Sequence, residues 1–233
     1  MIYCISDIHG EYDKFIEMLN LIGLRDEDTL YILGDVLDRG PHPIQTLLKI
    51  MEMPNTQFII GNHEVMALEI MKHGFSKIVN ADLDDLDDIT FHKLLSWYHN
   101  GCSTTVNELL MLSEEQQNAI TEYLKESLVY ELLELNGQKF LLVHAGIMNF
   151  DPETNINEYA LYEFVWARPD FDQPYFNDAI TVIGHTPTPL IDDCDTPGSI
   201  FKKNNFIDID CGASIGGRLG CLRLDDMMEF YVW

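Results

Sequence analysis

The chain has 233 residues, 46% of them hydrophobic, which suits one large α/β domain, with or without a small insertion, and argues against global disorder. Its formal charge is −25, from 39 acidic against 14 basic residues, a field that repels nucleic acid and anionic membrane surfaces. The same field repels phosphorylated substrates, so an enzyme acting on them needs local positive charge, and bound cations are the strongest source.

No apolar stretch approaches the roughly 20 residues that span a bilayer, and Met1–Asp7 reads as a strand, with neither the basic start nor the cleavage site of a signal peptide. Cysteines stand at 4, 102, 194, 211 and 221 without any Cys-x-x-Cys pair. An odd, unpatterned set points to a reducing compartment, with cytoplasmic as the expectation, and away from a disulfide frame or a zinc cluster.

In chain order, Ile2–Ile5, Leu30–Leu33 and Phe58–Ile60 are apolar throughout, the pattern of buried parallel strands. Between them, Phe15, Met18, Leu19 and Ile22 share one helix face, as do Ile44, Leu47, Leu48 and Met51, with Pro43 placed for the first turn and Pro54 beyond the end. The opening is therefore β-α-β-α-β. Asp7, Asp35 and Asn62 follow the three strands at spacings of 28 and 27 residues, close to the ~30 of one strand and crossover helix. Polar residues thus recur where open α/β sheets place their ligands.

Residues 75–128 change character and read as a helical insertion over the sheet edge, a candidate cap within a single domain of residues 1–233. The acidic run Asp82–Asp88 reads as a solvated loop or helix start. Phe91, Leu94, Leu95 and Tyr98 form a helical stripe, and Ser113 with Gln116 a capping box. Val129–Leu135, Asn136-Gly137 and Lys139–Val143 spell a hairpin. Strands are expected at Ile180–Ile183, Phe206–Ile209, Cys221–Leu224 and Glu229–Val232, the last leaving no evident regulatory tail. No internal repeat, low-complexity segment or linker interrupts the chain.

Five clusters each follow an expected strand: Asp7-Ile8-His9-Gly10, Gly34-Asp35-Val36-Leu37-Asp38-Arg39-Gly40, Gly61-Asn62-His63-Glu64, His144-Ala145-Gly146 and Gly184-His185-Thr186. Each joins a metal-capable side chain to a glycine that lets the backbone turn and approach a bound group. Singly they are weak signals: a strand-end turn or a satisfied core histidine explains any one of them. Together they suit a binuclear site of oxygen and nitrogen ligands for iron, manganese, zinc or cobalt. Two such ions about 3.5–4 Å apart bind one phosphate and lower the pKa of a shared water to about 7, giving a hydroxide for in-line attack on phosphorus.

This ordered set resembles the phosphoprotein phosphatase family within the calcineurin-like metallophosphoesterases, most nearly its compact bacterial and phage members, across almost the whole chain. The resemblance implies an α/β sandwich of two mixed sheets flanked by helices. It implies that Asp7 and His9 bind a first metal, that Asp35 bridges, and that Asn62, His144 and His185 complete a second, with manganese the expected ion and iron or zinc as alternatives. His63 would be the general acid, oriented by Asp38, and Arg39 would hold phosphate oxygens. Tyr162–Arg168 resembles a Trp-x-Arg motif, making Arg168 a second clamp, and Trp97-Tyr98-His99-Asn100-Gly101 resembles an insertion motif of the same group.

Two departures stand out. Ile60 occupies the position where protein phosphatases of this family carry arginine, which removes one phosphate contact, and Ser6 replaces a glycine before Asp7. The implied activity is hydrolysis of phosphate monoesters of the serine/threonine protein phosphatase type, on a phosphoprotein or small phosphoester, without a phosphoenzyme and without nucleic-acid or membrane partners. The alternative is a diadenosine polyphosphate or other nucleotide hydrolase on the same scaffold; Ile60 favours it, whereas Glu64 and the Trp-x-Arg segment favour the phosphatase. A non-catalytic metal-binding scaffold is the remote third. The other histidines, 42, 73, 92 and 99, read as structural or surface residues, as do Arg218 and Arg223, while Cys4 reads as core.

Overall fold

A computed structural model describes residues 1–79 and 85–233. Part of the acidic run, residues 82–84, lies outside the described residues. Its penultimate residue, Asp87, caps the helix that follows by accepting from the Thr90 backbone N–H at 3.0 Å.

Strands β1 (Ile2–Ile5), β2 (Thr29–Ile32) and β3 (Thr56–Phe58) alternate with helices α1 (Tyr12–Ile22), α2 (Pro43–Met51) and α3 (Asn62–Met71). β1 pairs parallel with β2, and β2 parallel with β3, so that Ile5 faces Ile32 and Ile32 faces Phe58. This register brings the carboxyl ends of the three strands level. The strands are apolar throughout because both faces are covered. Tyr3, Ile5, Leu30 and Ile32 pack under the helices, with Phe15, Met18, Leu47 and Ile70. Cys4, Tyr31 and Leu33, out of phase by one residue, pack instead against Phe140, Leu142, Val182 and Ile207 of the second sheet.

The stretch 75–128 carries α4 (Phe75–Val79), α5 (Asp88–His99), α6 (Ser103–Leu109) and α7 (Glu114–Lys125). α5 and α7 pack on α3, and α6 on α2. The expected capping box forms: Ser113 Oγ accepts from Gln116 N at 3.3 Å and Gln116 Oε1 accepts from Ser113 N at 3.0 Å. The hairpin β4 (Tyr130–Leu135) to β5 (Gln138–Val143) turns on Asn136 and Gly137 at φ of 53° and 81°, the two left-handed positions of a type I′ turn.

Helix α8 (Leu161–Val165) precedes β6 (Ala179–Ile183), β7 (Phe201–Lys203), β8 (Phe206–Asp208), β9 (Leu219–Arg223) and β10 (Met228–Val232). Two mixed five-stranded sheets result, ordered β10-β9-β1-β2-β3 and β4-β5-β6-β8-β7, flanked by helices. β9 runs antiparallel beside β1, returning the end of the chain to the first sheet, while β5, β6 and β8 are mutually parallel. No helix among the described residues is long and apolar enough to cross a membrane.

Candidate metal centre

The carboxyl ends of β1, β2, β3, β5 and β6 meet at one place. Their loops are sewn together by backbone bonds: Asp7 N to Gly34 O at 3.1 Å, His9 N to Asp35 O at 2.9 Å, and Gly184 N to His144 O at 2.8 Å. Asp7, His9, Asp35, Asp38, Arg39 and His185 all sit at positive φ, between 45° and 70°. Six non-glycine residues in the left-handed region, each strained, mark a site whose side-chain directions outrank local comfort. Gly34 shows what those turns require: at φ +80°, a Cβ on it would lie 2.6 Å from Gly61 and 2.8 Å from His144 Nδ1.

Two groups of ligand atoms lie within reach of a single ion each: His9, Asp35 and His63, and Asp35, His144 and His185. Asp35 belongs to both, with Oδ2 3.6 Å from His9 Nε2 and Oδ1 3.5 Å from His144 Nε2. Asp7 Oδ1 lies 3.9 Å from His9 Nε2, and Asn62 Oδ1 3.0 Å from His144 Nε2. All these side chains are buried.

The hydrogen-bond pattern fixes what the rings present. His9 donates through Nδ1 to Leu37 O at 2.7 Å, and His144 through Nδ1 to Leu33 O at 2.7 Å. Their Nε2 lone pairs therefore point inward. His9 Nε2 is buried with no hydrogen-bond partner among the described residues, while His144 Nε2 faces Asn62 Oδ1 and, at 3.2 Å, His185 Nδ1. Acceptors converging on acceptors call for a cation, and imidazoles locked by a carbonyl on the far nitrogen are the usual form of metal ligand. Burial, then the neighbouring His63 ring and Arg39 charge, hold His9 well below the ordinary histidine pKa, so the ring stays neutral. Burial and the adjacent Asp7 and Glu64 carboxylates push Asp35 well above its ordinary value. Neutral rings and crowded carboxylates are what a dication relieves. The donor set fits two ions.

Beside this lies His63, fully buried, whose Nδ1 bonds Asp38 Oδ2 at 2.6 Å. Arg39 Nη2 donates to His63 Nε2 at 3.0 Å, so the ring is neutral with its proton on Nδ1. Burial and the Arg39 charge lower the His63 pKa. Asp38 also accepts from Trp97 Nε1 at 2.8 Å and Thr105 Oγ1 at 2.6 Å, yet burial pushes it up to about 7. Trp97 lies in α5 and Thr105 in α6, and Arg39 N donates to Gly101 O at 3.0 Å. The helical stretch thus braces the second loop of the site. Glu64 anchors the same loop from α3. It is fully buried and accepts from the backbone N–H of Asp35, Val36, Leu37 and Gly61 at 2.8–3.0 Å.

Arg168 stands at the rim, exposed, its Nη1 donating to His185 O at 3.1 Å and to Thr186 Oγ1. The structure therefore gathers Asp7, His9, Asp35, Asp38, Arg39, Asn62, His63, His144 and His185 into one site, with Arg168 on its edge. His42 lies outside it, half-exposed beside Glu108. Ile60 lies just before this site in the chain. Its side chain is buried among Leu141, Val143, Ile147, Phe164 and Ile183, so the position faces an apolar cluster.

Sequence reasoning passed over Glu64, Trp97 and Thr105 as site supports, and Asp208 and Asp210 altogether. Asp208 ends β8 and Asp210 lies two residues beyond it, the same strand-end pattern as the candidate ligands, which was the available signal. Both are buried and pushed up by burial, Asp208 by Asp210 as well and Asp210 by Asp7.

A family model for calcineurin-like phosphoesterases matches residues 1–210. The asymmetrical bis(5'-nucleosyl)-tetraphosphatase PrpE of Halalkalibacterium halodurans is 26% identical, over 96% of this chain and 89% of that protein. The symmetrical bis(5'-nucleosyl)-tetraphosphatase of Chromobacterium violaceum is also 26% identical, over 98% and 94%. Among solved structures, one provisionally described as a diadenosine tetraphosphatase superposes with a TM-score of 0.65 at 16% identity, covering 99% of this chain and 92% of its own. A metallophosphoesterase from Sphaerobacter thermophilus gives 0.56 at 17%, over 100% and 88%. These two likenesses establish the fold.

Proposed function

Because the chain belongs to the calcineurin-like phosphoesterases, we propose that it is a two-metal hydrolase of dinucleoside polyphosphates, cleaving a phosphoanhydride bond with water. One observation carries the reading: a guanidinium stands at each ligand group, Arg39 against His63 and Arg168 against His185. Two guanidinium clamps at a binuclear site can hold successive phosphates of a chain. The relatives named for bis(5'-nucleosyl) tetraphosphates support it. The sequence put serine/threonine phosphatase activity first and this reading second; the relatives favour the reverse order.

The residues take these roles. Asp7, His9 and Asp35 would hold one ion, and Asp35, Asn62, His144 and His185 the other, with manganese the proposed activator. Bound there, the cations would offset phosphate charge and lower the pKa of a coordinated water towards 7. Arg39 turns from His63 to the substrate and donates to phosphate oxygens, as Arg168 does from the rim. That turn frees His63 Nε2, which then takes or returns a proton at the reacting oxygens. Asp38 holds the ring through Nδ1–H and stabilises the imidazolium whenever it forms. In the resting arrangement Nε2 carries no proton, so action as a general acid requires prior protonation. Glu64 keeps the loop from Asp35 to Leu37 in place throughout.

The test is a side-by-side assay of the manganese-loaded protein on diadenosine tetraphosphate, p-nitrophenyl phosphate and a phosphoserine peptide. The reading expects kcat/KM to be highest on the dinucleotide. A phosphopeptide preferred over it would overturn the reading.

A further inference from the structure

Helix α8 leaves one aromatic ring without an internal task. Tyr162 is 60% exposed, and its neighbour Leu161 is 39% exposed. The helix is short but firmly held: Glu163 accepts from the Ala160 N–H at 2.8 Å, and Glu163 O accepts from Met148 N at 2.9 Å. One turn on lies Trp166, whose ring centroid is 6.3 Å from that of Tyr162 at an interplanar angle of 33°. Trp166 in turn meets the His185 ring edge-on, at 5.9 Å and 90°. It packs both on the helical core of the first sheet and on the apolar cluster outside the second, so it stands at the seam where the two halves meet. Two residues beyond it is Arg168, anchored on His185 O and Thr186 Oγ1.

A series therefore runs outward from the candidate metal centre: the His185 ring, the Trp166 ring, then the Tyr162 ring open to solvent, with the Arg168 guanidinium held at its inner end on His185 O. We propose that Tyr162, backed by Trp166, is the stacking platform for the base of a nucleoside phosphate whose phosphates lie at the metal centre and on Arg168. The proposal builds on the dinucleotide reading and makes it specific. Three features favour a base over a peptide side chain. The outermost ring is flat and exposed, a second aromatic lies against it, and the cation at the inner end of the series suits phosphates continuing from a sugar. Every base has a π-face, so stacking of this kind selects nucleotides as a class with little preference among bases. In a chain of net charge −25, an uncharged contact also adds affinity that the global field does not oppose.

The experiment compares two inhibitors with the same diphosphate and different remainders. ADP and inorganic pyrophosphate are titrated against hydrolysis of p-nitrophenyl phosphate by the manganese-loaded protein. Tyr162→Ala should raise Ki for ADP by about 5- to 100-fold, the range that base–aromatic stacking supports, and leave Ki for pyrophosphate within about twofold. Tyr162→Phe, which keeps the ring, should bind ADP like the parent. Equal shifts for both inhibitors, or no shift for either, would overturn the platform. The outcome is separable from the functional reading. A parent that leaves diadenosine tetraphosphate intact refutes that reading, whereas the two Ki values judge Tyr162 on their own.

Discussion

Replacing Glu64 by glutamine should unfasten the candidate site without touching a ligand. Oε1 of Glu64 accepts from Val36 N at 2.9 Å and Leu37 N at 3.0 Å, and Oε2 from Asp35 N at 2.8 Å and Gly61 N at 3.0 Å. A glutamine amide turned either way sets its NH2 against two of those four N–H donors. Hydrogen bonds to a charged group contribute about 1.5–3 kcal/mol each, so losing two costs about 3–6 kcal/mol. Burial already pushes the Glu64 carboxyl above its ordinary pKa, so removing the charge recovers some desolvation energy, and the lower half of the range, about 3–4 kcal/mol, is expected. At roughly 2–4 °C per kcal/mol for a chain of this size, Tm should fall by about 6–16 °C. Asp35 and Asp38 ride on the same loop, so metal retained after gel filtration should fall as well. Thermal melting of the manganese-loaded and metal-stripped forms reads both effects. A loss under about 1 kcal/mol with full metal content would refute the role given to Glu64.

His63→Asn should slow an alkyl phosphate, whose leaving oxygen needs a proton, about 10²–10⁴-fold, and p-nitrophenyl phosphate far less, with metal content intact; equal losses in kcat would show that His63 does not serve the leaving group. Trp97→Phe removes the Nε1–H bond to Asp38 and should cost about 1.5–3 kcal/mol in urea unfolding together with a fall in kcat; unchanged stability and kcat would mean that the helical stretch does not brace the site. Ile60→Arg places a guanidinium among Leu141, Val143 and Phe164 and should destabilise the protein by about 3 kcal/mol or more. A stable variant with a lowered KM for phosphopeptides would contradict the burial of that position.

Much of the site was legible because its signals are local. Asp7, Asp35, Asn62, His144 and His185 each end an apolar run that any parallel strand would show, and the mutual spacing of the first three follows from the length of a βα unit. Asn136-Gly137 announced its hairpin through the only residues that tolerate two positive φ values cheaply. What stayed hidden depends on distance or phase. The pairing of β1 with β9 joins Tyr3 to Arg223 and leaves no trace in either segment. Phe58, Ile59 and Ile60 form one apolar run, yet they pack into three different clusters, and such a run does not reveal which face each residue takes. The bond from Trp97 to Asp38 crosses 59 residues, so a motif seen in the sequence acquired its task only in the fold.

The central claim is that Asp35 joins two cation sites in one centre. Its most direct test is metal stoichiometry: protein stripped with chelator is titrated with manganese and bound metal is counted per chain, for the parent and for Asp35→Asn. The account predicts two ions on the parent, activity lost on stripping and restored at two equivalents, and fewer than two tightly held ions on Asp35→Asn. Full activity in the verified metal-free parent, or two ions held as tightly by Asp35→Asn, would contradict it.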